Sequence, residues 1–331
     1  MKELIRILTE TFSPSGYEHA IRNTIRDMIA PYVDEIKEDA MGNLIARKGE
    51  KGKNGKRVML AGHMDEIGLM ASHIDENGFI RFSGLGGLYP QTLYGGRVKF
   101  TNGIQGTIGG EPITDISKSL SIKQLFIDVG ADSEKNCPVK IGDVAAFDRP
   151  FADLGDRIMA KAMDDRIGCA VMIEALKRLK KSPHELHFVF TTQEEVGLRG
   201  ASTSAFGIDP DIGISLDVTR TGDTPKAKKM AVKLGSGPAV KIKDGGMIAD
   251  IRIVNWMINA AEKNKIPFQR EILEGGTTDA KAIQVTRAGV PAGCISIPCR
   301  YVHSPSEMVD LKDVENATNL LVSLLEEPIE I

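Results

Sequence analysis

What most restricts the fold of this 331-residue chain is a break in its rhythm: helix and strand periods alternate at both ends but not in the middle. Near the start, Ser15-Gly16-Tyr17-Glu18 has the form of a capping box with Ser15 as N-cap, and Ile21, Ile25, Met28 and Ile29 then share one helical face. Strands are expected at about 33–39 and 43–47, then a Gly/Lys/Asn turn at 49–55 and a compact apolar strand at 57–61. From about 69 to 156 the texture changes to short β-type runs. They are separated by turn chemistry at Glu76-Asn77-Gly78, Gly84-Leu85-Gly86-Gly87, Thr101-Asn102-Gly103 and Gly109-Gly110. Asn102-Gly103, between alternating apolar residues, is a hairpin signal. No amphipathic helix longer than a turn or two stands out there. After Asp164 the alternation resumes, with helices expected at 167–179, 248–263 and 311–325 and strands at 186–192, 211–216, 267–273 and 292–297. This pattern implies an α/β domain formed by residues 1–68 and 157–331, with a small β-barrel or sandwich, residues 69–156, inserted into it.

Composition narrows the functional classes. A formal net charge of -3 gives no basic surface for nucleic acid and no polybasic membrane anchor. No apolar stretch approaches the roughly 20 residues needed to span a bilayer, and the charged start Met1-Lys2-Glu3-Leu4-Ile5-Arg6 lacks an export signal's apolar core. Cys137, Cys169, Cys294 and Cys299 are scattered without a CxxC pair, as expected of reduced, mostly buried thiols. A cytoplasmic location is the simplest expectation.

Acids and imidazoles gather in five short clusters, most of them at or just after a strand-like run: Gly62-His63-Met64-Asp65-Glu66, Asp164-Asp165-Arg166, Glu194-Glu195, Asp217 and Tyr301-Val302-His303-Ser304. In open α/β sheets, ligands bind outside the carboxyl ends of the strands. If extended geometry persists past His63, Asp65 lies on the same side and can hold the outer imidazole nitrogen. A core histidine satisfied by a nearby acid is the plain alternative. Asp164 and Asp165 open a helix, where a carboxylate can simply serve as a cap. Alternatively Asp164 bridges two cations while Asp165 caps the helix or pairs with Arg166. Glu194 and Glu195 follow an apolar strand, where adjacent acids are costly unless paired or metal-bound. A solvated loop start is the competing reading. Asp217 and His303 would each pass as ordinary loop or strand-end residues if isolated. It is the set that points to a two-metal site and metal-assisted hydrolysis. Two imidazoles with several carboxylates suit zinc, cobalt or manganese better than magnesium or calcium.

Ala61-Gly62-His63-Met64-Asp65-Glu66-Ile67-Gly68, Met163-Asp164-Asp165-Arg166-Ile167-Gly168, Gln193-Glu194-Glu195-Val196-Gly197 and Tyr301-Val302-His303-Ser304-Pro305 together resemble the tetrahedral, dodecameric metallo-aminopeptidases, metallopeptidase family forty-two. The resemblance spans essentially the whole chain. It implies a zinc-peptidase-like fold, with a mixed, largely parallel sheet flanked by helices and a small inserted β-barrel used for dimerisation. It also implies two divalent ions per subunit, zinc or cobalt or else manganese. His63 and Asp217 would hold one ion, Glu195 and His303 the other, and Asp164 would bridge. Glu194 would be the general base and Asp65 the catalytic partner of His63. Short peptides with a free N-terminus would be the substrates, and subunits would associate into dimers and a tetrahedral dodecamer. Gly275-Gly276-Thr277-Thr278-Asp279 resembles the family's substrate-side segment, and Arg220 stands close enough to Asp217 to contact substrate or to be a surface residue. Two rival functions are a glycoside hydrolase, in line with an endoglucanase label carried by some family members, and a non-catalytic metal-binding assembly protein. Against the first, aromatic residues make up only 5% with one Trp, a poor lining for a sugar groove.

Overall fold

Val58, Met59, Leu60 and Ala61 are all buried, as expected of a strand covered on both faces, and Arg57–His63 lies at the centre of an 11-stranded sheet. The structure, a computed structural model, describes residues 1–112 and 120–329. Parallel to Arg57–His63 run Glu185–Thr191 on one side and Ile212–Thr219 on the other, and Ala292–Arg300 follows parallel to Ile212–Thr219. Antiparallel strands complete both edges: Leu44–Lys48 and Glu35–Glu38 beyond Glu185–Thr191, then Glu307–Asp310, Arg157–Ala160 and Ala152–Asp153 beyond Ala292–Arg300. Ala239–Lys243 pairs with both Ala292–Arg300 and Gln269–Ile272. This is the expected mixed, largely parallel sheet.

Helices cover it on both faces. Met163–Arg178 crosses the central strands, and Gly168 allows a close approach: a Cβ there would stand 2.7 Å from the Leu216 carbonyl oxygen. Leu311–Glu326 packs beside it, while Asp279–Gln284 lies against the opposite face, its Ile283 filling the space over Gly213. Among the described residues no helix is long and apolar enough to cross a membrane.

The middle of the chain closes into a six-stranded barrel, in the order Gly68–Ile74, Ile80–Leu85, Leu125–Asp128, Gln105–Gly110, Arg97–Phe100 and Val144–Phe147. Alternate residues such as Val98, Phe100, Ile108 and Ile127 fill its separate core. Gly78 and Gly103 take the positive φ values, 87° and 86°, that the two Asn-Gly turns demand.

Several expectations need correction. Gly109-Gly110 is not a turn but the end of a strand, where the rings of Phe126 and Tyr94 occupy the space a Cβ would take. Ser15 does not cap the first predicted helix, which begins at His19, because its hydroxyl is spent on Asp65. Asp217 lies within its strand and not past the end of it. The helix expected at 248–263 starts at Ile251, where the Asp250 carboxylate accepts from the Arg252 amide.

Candidate metal centre

The four parallel strands end on one side of the sheet, and the chain places its acids and imidazoles there. His63 is the last residue of its strand and is 2% exposed. Its Nε2 is 3.0 Å from Asp164 Oδ1. The second Asp164 oxygen, Oδ2, is 3.3 Å from His303 Nε2, which in turn is 3.3 Å from Glu195 Oε2. One carboxylate thus faces two imidazoles, one on each oxygen. Asp217 joins His63 and Asp164 in one group whose ligand atoms lie within 4.8 Å of one another, and Asp164, Glu195 and His303 form a second. His63, Glu194 and Glu195 form a third, with Glu194 Oε2 3.9 Å from His63 Nε2.

The donor set suits cations. Among the described residues no Lys or Arg forms an ion pair with Asp164, Glu194, Glu195 or Asp217; their ion-pair contacts are to the two imidazoles. Glu195 Oε1 is buried with no hydrogen-bond partner among the described residues. Burial, followed by the charges of neighbouring acids, pushes the Asp217 carboxyl well above the usual range; burial also pushes up Glu194, against the His63 charge. Burial alone would lower the His303 pKa, yet the Glu195 charge and the hydrogen bond to Asp164 raise it to about 12. Each imidazole is therefore pulled towards carrying positive charge that a bound dication would otherwise supply.

The flanking contacts hold these side chains in place. His63 Nδ1 donates to the main-chain carbonyl of Asp65 at 3.0 Å, and the Asp65 carboxylate stands farther off at 3.4 Å. The nearer contact is thus the backbone one, where the carboxylate was expected. The Asp65 carboxylate accepts instead from the amides of Glu194 at 3.0 Å and Glu195 at 3.2 Å and from the Ser15 hydroxyl at 2.5 Å. Asp165 accepts from the amides of His63 and Gly168 and so caps the helix. It does not pair with Arg166. That guanidinium is buried and donates to the carbonyls of Met64, Leu8, Thr11 and Ser13, lacing the first helix to the strand end.

Sequence reasoning missed Glu307, whose two oxygens accept from the amides of Asp164 at 3.0 Å and His303 at 2.7 Å. The only signal available was an acid four residues beyond His303. Glu18 was read as a helix residue, but its carboxylate accepts from the Gly16 and Gln193 amides and braces the Glu194 loop. Burial, helped by the Asp65 charge, raises its pKa to about 7.

A cleft of about 360 Å³ opens over these groups, bordered by Thr277, Thr278 and Lys281 on one side and Arg220 on the other. Lys241 also borders it but is fully buried and paired with Glu271 at 3.0 Å. Lys243 and Glu274 line a separate cavity.

Comparison with known proteins identifies the family of the chain. The sequence profile of the M42 glutamyl aminopeptidases matches residues 42–320. A protein of Acetivibrio thermocellus bearing an aminopeptidase name is 48% identical over 327 residues, which cover 98% of both chains. A solved aminopeptidase from the archaeon Desulfurococcus kamchatkensis is 42% identical and superposes with a TM-score of 0.93, over 98% of this chain and 94% of its own. The TET1 peptidase of Pyrococcus horikoshii, which can assemble into a tetrahedron or a large octahedral shell, gives 0.85 at 34% identity over 98% and 99% of the two chains. The chain belongs to the M42 peptidase family and is a peptide-bond hydrolase of the aminopeptidase kind.

Proposed function

We propose that this protein removes N-terminal residues from short peptides with the help of two divalent metal ions. The observation that carries the reading is the Asp164 carboxylate, shared between His63 on one oxygen and His303 on the other. His63, Asp164 and Asp217 would hold one ion, and Asp164, Glu195 and His303 the second. Zinc or cobalt, or manganese, matches these ligand types. When bound, such a pair lowers the pKa of a water and polarises the scissile carbonyl. Glu194, largely buried beside both groups, takes the proton of the attacking water and returns it to the leaving nitrogen. Its raised affinity for a proton, caused by burial and by the neighbouring Asp217 and Glu195, suits both halves of that transfer. Asp65 positions the base by holding the amides of Glu194 and Glu195. A free α-ammonium finds its counter-charge among the same carboxylates, which restricts cleavage to the first peptide bond.

The barrel, inserted at 69–156, is the proposed dimerisation module. Assembly of dimers into a tetrahedral dodecamer is supported by the likeness to the TET1 peptidase. A cytoplasmic location agrees with this reading. A glycosidase would leave His63 and His303 without a role.

The test is Glu194→Gln, which should keep both metals yet lose at least about 10³-fold in hydrolysis of an amino-acid anilide. Near-normal turnover by a metal-loaded variant would refute the base assignment, and a metal-loaded wild type without turnover would favour a storage role.

A further inference from the structure

The loop leaving the barrel strand Ile80–Leu85 is partly exposed, at Gly87 and Tyr89, yet stays close to the α/β domain. It crosses the metal-ligand cluster before entering the short helix Pro90–Leu93. A Cβ built on Gly86 would lie 2.8 Å from Glu195 Oε2 and 3.1 Å from Glu195 Cβ. One built on Gly87 would lie 2.8 Å from His303 Nδ1 and 3.2 Å from its Cε1. Real side chains do not tolerate such separations, so the loop backbone already sits as near as these two ligands allow. His303 has little else to fix its ring. Its main chain, at a φ of 64°, is tied to Glu307, its Nε2 faces Asp164 and Glu195, and Nδ1 makes no hydrogen bond among the described residues. Two residues beyond Gly87, the ring of Tyr89 lies 6.4 Å from that of His303. The Tyr89 hydroxyl accepts from Arg220 at 2.5 Å, and the Arg220 guanidinium lies 5.6 Å from the Tyr89 ring centroid. The loop is thereby moored to the far side of the cleft.

Glu195 and His303 belong to one ligand group. In the other, the outer His63 nitrogen is held by Asp65 and the Asp217 carboxylate accepts from the Val218 amide, both from the α/β domain. We propose that the Gly86–Tyr89 loop of the inserted barrel is a positioning clamp for a single metal site, setting Glu195 and His303 and leaving the His63–Asp217 site to the sheet. This rests on the two-metal reading above. Gly86, Gly87 and Tyr89 act through the ligands they press on, not by touching an ion or the reacting atoms. The barrel then serves the reaction centre as well as any assembly contact.

The test is calorimetric titration of cobalt into the chelator-treated full-length protein, with ions per chain counted by mass spectrometry. Wild type should take up two ions. Gly87→Ala should keep one at wild-type affinity and weaken the other by roughly 10–100-fold, as loss of outer support for a ligand does elsewhere. Gly207→Ala, on an exposed helix face with nothing within 4 Å of the added carbon, should change neither. Unchanged binding, or equal weakening of both ions, in Gly87→Ala would overturn the clamp. Should that variant fail to fold, Tyr89→Ala removes the mooring at an exposed position and should weaken the same single ion by about tenfold; two unaltered ions there would equally overturn it. A wild type that binds one ion would sink the two-metal reading and the clamp with it, whereas two wild-type ions with both variants unaltered would sink the clamp alone.

Discussion

Replacing Asp65 by Asn isolates what its second oxygen contributes. Asp65 is fully buried, with Oδ1 accepting from the Glu194 amide and Oδ2 from the Glu195 amide and the Ser15 hydroxyl. Asn offers a single acceptor. Whichever way its amide turns, one of the two main-chain N–H groups must face an NH₂. A buried donor left unpaired costs about 1–3 kcal/mol, and the loss of charge from the surviving bonds adds about 1 kcal/mol. The sum, roughly 2–4 kcal/mol, corresponds to a fall in Tm of about 3–6 °C for a chain of 331 residues. The turnover loss should be larger in relative terms. The loop carrying Glu194 and Glu195 loses its anchor, and misplacement of reacting groups by about 1 Å can cost 10²-fold. Ser15→Ala is the matched control, since it removes one hydroxyl but leaves both amides bonded, and should cost only about 1 kcal/mol. Scanning calorimetry at neutral pH alongside anilide hydrolysis reads both effects. An Asp65→Asn protein that melts within about 1 °C of wild type and turns over normally would refute this account of the loop.

Three further outcomes are expected. Asp164→Ala should weaken both ions together in a metal titration; loss of only one would argue against a shared carboxylate. At Asp223, two hydrogen bonds from Arg300 hold the carboxyl well below the usual range, with both side chains 17% exposed. Folding therefore favours the ionised form. That contribution, about 1–2 kcal/mol, is complete above about pH 4 and drains as the pH falls further, so the stability gap between wild type and Asp223→Asn should narrow in acid melts. Chelation reverses the sign. With metal removed, burial and acid neighbours raise the carboxyls of Asp217 and Glu194, and the acids around them raise His63 and His303. The folded chain then binds more protons than the unfolded one, so its Tm should rise as pH falls from 8 to 6, and added zinc or cobalt should flatten that slope. A slope unaffected by metal would contradict the idea that these acids await cations.

Much of the plan was legible in the chain. Unbroken apolar runs such as Val58–Ala61 and Phe188–Phe190 read as buried parallel strands, and Asn77-Gly78 and Asn102-Gly103 read as hairpins. Other elements gave weak signals for identifiable reasons. The helix Arg199–Ile208 is built largely of Gly, Ala, Ser and Thr, which leaves little apolar periodicity to detect. The short strands Arg157–Ala160 and Glu307–Asp310 owe their form to pairing with each other and with their other neighbours in the sheet. Glycine is ambiguous by nature: Gly109-Gly110 makes room for aromatic rings where a turn was expected, and Gly86-Gly87 lies against Glu195 and His303.

The sequence alone determined which residue types stand at the strand ends, because burial periodicity and ligand chemistry are properties of neighbours along the chain. Only the tertiary structure decided which atoms meet. His63 and His303 are far apart in sequence, and the order of strands across the sheet, not any local spacing, brings each to its own oxygen of Asp164. The same holds for Glu307, bonded to the amides of Asp164 and His303, and for the barrel loop beside Glu195 and His303, whose contacts arise from packing between distant segments and leave no periodic trace in either one.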